Sequence, residues 1–88
     1  MHHLHKRGAV VNIFQMSFND GLLFEGKATV VKPVGSGIDE HYMVRFHSDI
    51  GKYNGTTPTY ERFIDREGQA DPDAYIKAFN KKLGIKAA

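Results

Sequence analysis

The chain contains no cysteine. Neither a disulfide framework nor a thiolate metal site can therefore hold it together. Tryptophan is missing too, so bulky core material must come from six phenylalanines and four tyrosines. No run approaches the ~18 apolar residues of a membrane span. The first residues lack the apolar segment and small-residue cleavage site of a secretory signal, and the expectation is a soluble, cytoplasmic protein. A strong charge of one sign is also lacking. The formal net charge is only +2, so composition alone makes no case for nucleic acid.

What is present is a chain of 88 residues with 41% hydrophobic content, enough for one folded domain with a modest core. The clearest pattern lies in residues 40–47. Tyr42, Val44 and Phe46 alternate there with His41, Met43, Arg45 and His47. Alternation of this kind marks a strand with one buried and one wet face. Residues 21–33 read as its hairpin partner, with Phe24, Ala28 and Val30 on the buried side and Glu25, Lys27 and Thr29 on the wet side. Gly26 falls where the buried face wants a side chain, which predicts a bulge or sharp bend. Pro33 cannot donate to a ladder, so it should end the strand or lie on an edge.

Residues 9–18 predict the first strand, with Val10, Phe14, Met16 and Phe18 on one face, Asn12 interrupting it, and Val11 and Ile13 on the other. Asn19-Asp20-Gly21 supplies turn chemistry. The tip Gly35-Ser36-Gly37 is followed by a strand and by Asp39 and Glu40, so it lacks the helix N-terminus or lysine of a phosphate cradle. Residues 48–58 form a polar connection with a turn signal at Asn54-Gly55. A fourth strand follows over residues 59–65, its phase left open by adjacent Phe63 and Ile64.

The spacing predicts one helix, over residues 71–83. Asp71 suits the N-cap, Pro72 the first turn, and Gly84 the position after the end. Ile76, Phe79 and Leu83 form its apolar stripe, extended by Tyr75. The domain organisation is then a flexible segment over residues 1–8, a single small β-rich domain over residues 9–84, and a tail over residues 85–88.

The expected fold class is α+β: four short antiparallel strands forming a bent sheet or small barrel, with one C-terminal helix packed on it. This element order and these strand lengths resemble SH3-like and chromo-like small barrels. The resemblance rests on no motif, so it carries over no functional residue. A flat sheet with the helix across one face is the rival arrangement.

No enzyme is expected. Ser17, Ser36 and Ser48 lack the flanks of a nucleophile, and the acidic pairs Asp39-Glu40 and Asp71/Asp73 sit at a turn and a helix start. His2, His3 and His5 cluster in sequence without a supporting shell, so no metal or other cofactor is expected. The expected function is a non-enzymatic binding or adaptor module acting through sheet surface and loops. A protein partner or self-association comes first, because Val11, Ile13, Leu23 and Val31 fall opposite the expected core and the first strand offers an edge. The alternative is a nucleic-acid-binding module using Lys27, Arg45, His47, Lys52 and Tyr53. No membrane partner is expected. The bland reading of the same wet face pairs Glu25 with Arg45 or Lys27.

Overall fold

A computed structural model describes residues 5–35, 37–49 and 57–85. Strands β1 (Val10–Ser17), β2 (Gly21–Val34), β3 (His41–Phe46) and β4 (Tyr60–Arg62) form one sheet in that order. Each is antiparallel to the next. Helix α1 (Pro72–Lys82) follows. The sheet is open. β1 and β4 remain its two edges, so the barrel alternative does not hold. β4 has only three residues, fewer than the seven expected, and offers little ladder for closure.

Tyr42, Val44 and Phe46 are buried, while His41, Met43 and Arg45 occupy the opposite face, as their alternation predicts. The buried side chains form the core with Val11, Ile13, Ala28 and Val30, and Ala9, Tyr60 and Ile64 pack against them. Burial of Ile13, Val30 and Val44, the largest fully enclosed side chains, contributes about 1.5–3 kcal/mol each.

The phase of β1 is the reverse of the expected one. Val11 pairs with Ala28 and Ile13 with Gly26, which places them on the core side. Val10 and Met16 are 59% and 53% exposed. Both alternations of β1 are apolar, so periodicity could not choose between them; the register against β2 did. The patch proposed from Val11, Ile13, Leu23 and Val31 thereby loses two of its members to the core.

Gly26 marks a bulge, as its position predicts. The register runs Ile13 to Gly26 and then Phe14 to Phe24, leaving Glu25 as the extra residue. Gly26 has φ +153°, a conformation a side-chain-bearing residue rarely adopts. The slip also moves Phe24 off the face it was expected to share with Ala28 and Val30. It lies edge-on to Phe14, ring centroids 5.9 Å apart, and stays partly exposed. Pro33 lies beyond the last residue paired with β1, where β2 is itself an edge.

Two side-chain amides close the open ladders. The Gln69 amide meets the free edge of β1, accepting from the Asn12 N–H at 2.7 Å and donating to the Asn12 carbonyl at 2.9 Å. The Asn12 side chain donates to the Gln69 carbonyl at 3.1 Å, which satisfies a buried amide that interrupted the apolar pattern. Asn80 treats Leu22 the same way, accepting its N–H at 2.8 Å and donating to its carbonyl at 3.2 Å. β3 pairs with β2 only from Ala28 onward, so Asn80 fills the place a longer β3 would take. Each amide stands in for a strand residue.

Helix α1 begins with the Asp71 carboxylate accepting from the Ala74 N–H at 3.1 Å. It ends with bonds from Gly84 N–H to the Lys81 carbonyl and from Ile85 N–H to the Asn80 carbonyl, a Schellman closure. Docking runs through Tyr75, edge-on to Phe14 at 5.1 Å, and through Asn80. Leu83, expected in the stripe, is 50% exposed, and the closure instead brings Ile85 against Gly21 at the start of β2. Gly68 sits where Phe14 and Tyr75 converge; an added Cβ would lie 2.6 Å from the Phe14 ring. Ahead of β1, Gly8 N–H donates to the Val30 carbonyl at 2.8 Å and Arg7 Nε to the Val31 carbonyl at 3.0 Å.

Candidate functional site: the outer face of the sheet

The side of the sheet opposite the core carries Lys27 and Thr29 from β2, then Lys32 beyond the second register slip. β3 contributes His41, Met43 and Arg45. Thr29 lies directly opposite Arg45, and Lys32 opposite Met43. His47 follows β3 and its Nε2 lies 2.9 Å from the Thr29 hydroxyl. The structure thus brings together Lys27, Arg45 and His47, all exposed. Lys52 and Tyr53, and the turn at Asn54-Gly55, lie outside the described residues, as do His2 and His3.

Glu25 does not neutralise this face. As the extra residue of the bulge it is directed to the core side, where Arg62 grips it with Nε and Nη2 at 2.9 and 2.8 Å. The expected pairing with Arg45 or Lys27 is therefore replaced. Arg62 also stacks over the rings of Phe46 and Tyr60. Its guanidinium is held even more firmly protonated than usual by Glu25. These residues line an open cleft of about 310 Å³ together with Ser48 and Asp49. Arg62, the cation among its described lining residues, is already spent on Glu25.

With Glu25 gone, the acidic side chain among the described strand positions of the outer face is Glu61, and it is tied to His41. His41 Nδ1 bonds the Asp39 carbonyl at 2.7 Å and Nε2 bonds Glu61 at 3.0 Å. Two acceptors at two ring nitrogens favour imidazolium, so the His41 pKa rises above 6.5, chiefly through the Asp39 carbonyl and then Glu61. The Phe63 ring stands 5.5 Å from the His41 ring and is 62% exposed. Sequence reasoning missed it, because adjacent Phe63 and Ile64 left the phase of the last strand open. Ile64 packs on the core, and that sends Phe63 outward.

His5 behaves in the opposite way. Its ring lies edge-on to Tyr42 at 5.4 Å, its Nε2 is buried without a partner, and burial lowers its pKa below 6.5 against the pull of Glu40. His41 gains proton affinity on folding. Its stabilisation is full below pH 6.5 and is lost as pH rises through its raised value. His5 loses affinity on folding. Its contribution is present above pH 6.5 and disappears as pH falls through its lowered value. In a residue-resolved NMR titration the two midpoints are expected on opposite sides of 6.5. Coincident midpoints would contradict both ring environments.

Comparison of the chain with protein-family models, with curated proteins and with solved structures finds no match. The structure itself defines a small open sheet of four antiparallel strands with one C-terminal helix packed on it among the described residues. No helix among the described residues is long and apolar enough to cross a membrane.

Proposed function

We propose that the chain is a non-enzymatic binding module that receives an acidic partner on the outer face of its sheet. The observation that carries this reading is the bulge at Glu25. It sends the Glu25 carboxylate to Arg62 on the core side and, with Glu61 tied to His41, leaves Lys27, Lys32 and Arg45 without an acidic partner among the described residues. Exposed cations that lack acidic neighbours sum into a field that attracts polyanions and fixes their orientation. Self-association through the edge of β1 has less support, because Gln69 occupies the middle of that edge. A protein partner at the turn between β1 and β2 is the second reading, favoured by Phe18, which stands wholly exposed there.

The test is titration with labelled polyglutamate and a labelled oligonucleotide at two salt concentrations. Binding of a polyanion is expected at ~0.01 M salt, where the Debye length is ~30 Å, and strong weakening is expected at 0.15 M, where it is ~8 Å. The double variant Lys27→Glu/Arg45→Glu should lose it. Both side chains are exposed, so the fold should tolerate the change. Failure of both polyanions to bind at low salt would remove the proposal.

A further inference from the structure

We infer that the acidic partner is single-stranded nucleic acid, laid across the outer face with its phosphates on Lys27, Lys32 and Arg45 and a base stacked on Phe63. This inference rests on the proposed use of that face. Three observations separate it from an acidic protein surface. The first is the placement of Phe63, an exposed ring at the end of a row of cations, braced by the His41 ring and not sunk in the core. Every base has a face that stacks on such a ring, whereas an acidic peptide gains little from it. The second is extent. His41 to Phe46 spans about 17 Å at the strand rise of ~3.3 Å per residue, the scale of several nucleotides. The third is the mixture along that row. Thr29 and His47 supply hydrogen-bonding groups 2.9 Å apart beside Arg45, and Met43 supplies an apolar, polarisable surface between Arg45 and His41. Phosphates need the charges, and the flat apolar faces of unpaired bases need the rest. A duplex hides those faces, so the match is to a single strand.

Charge and shape divide the labour. Phosphate contacts with Lys27, Lys32 and Arg45 supply salt-dependent affinity independent of sequence. Phe63 supplies the preference for an unpaired base. Tightening is expected as His41 becomes protonated, though Glu61 shares that charge.

Fluorescence anisotropy on the whole chain tests this with three probes of equal charge: an oligothymidylate, a short DNA duplex and polyglutamate. The single strand is expected to bind tightest. Phe63→Ala should weaken it by about fivefold to a hundredfold, the range carried by one stacked base, and leave polyglutamate unchanged. Phe63→Trp should restore the single-strand affinity, which a merely structural role for the ring would not do. Equal binding of all three probes with no effect of Phe63→Ala would overturn the inference and leave the proposed basic face standing. Tighter binding of polyglutamate would overturn it in favour of an acidic protein. Single-strand binding that survives Lys27→Glu/Arg45→Glu, or absence of binding by every probe, would overturn both.

Discussion

Gln69→Glu is expected to destabilise the domain by about 2–4 kcal/mol at pH 7, because carbonyls left without a donor cost ~1–3 kcal/mol each. The Gln69 amide nitrogen donates to two carbonyls, those of Asn12 and Asp65, both at 2.9 Å. A carboxylate of the same shape keeps the acceptor for the Asn12 N–H and turns its second oxygen against both carbonyls. For a domain of this size the melting temperature should fall by roughly 8–32 °C, at ~4–8 °C per kcal/mol. The deficit should also shrink on acidification, since a protonated Glu recovers one donor. Its pKa would therefore be raised in the folded state, and the penalty would be present above that value and relieved below it. Thermal melts of both proteins at pH 7 and near pH 4 measure the difference. A variant as stable as the parent at pH 7 would show that Gln69 does not close the edge of β1.

Ile13→Ala should cost about 2–5 kcal/mol, the range for emptying a fully enclosed aliphatic site. Ile13 has no exposed surface and packs among Val11, Ala28, Val30 and Val44. Met16→Ala, three residues on, should cost well under 1 kcal/mol, since more than half of Met16 faces solvent. The contrast matters more than either value. The expected phase of β1 puts Met16 with Val10 and Phe14 on the buried side, and the register against β2 puts Ile13 there instead. Chemical denaturation of the two variants distinguishes the arrangements, and a larger loss at Met16 than at Ile13 would reverse the phase of β1.

Phe14 shows why β1 was hard to read. It shares a face with exposed Val10 and Met16, yet it is buried, because Tyr75 and Gly68 cover it from helix α1 and the turn before it. The strand is apolar on both sides because it has two different partners, the core on one side and the helical segment on the other. The candidate site was legible to a similar degree. Lys27, Arg45 and His47 were identifiable as one wet face from alternation in β2 and β3. The removal of Glu25 from that face was not, because it follows from the bulge that redirects its side chain to Arg62. Nor was Phe63, which owes its exposure to Ile64 taking the place against the core.

The residue pattern was enough for the elements whose cause is local. The alternation over Tyr42, Val44 and Phe46 made β3, Gly26 announced the bulge, and Asp71, Pro72 and Gly84 bounded helix α1. Each depends on backbone geometry and on neighbours within a few residues. Long-range packing set the phase of β1, the open sheet, and the partners of Asn12, Leu22 and Glu25. Those outcomes join residues up to 58 positions apart through Gln69, Asn80 and Arg62. Amide and charge pairings over such distances leave no periodic trace in a chain, since a polar side chain looks the same whether it meets water or a strand edge.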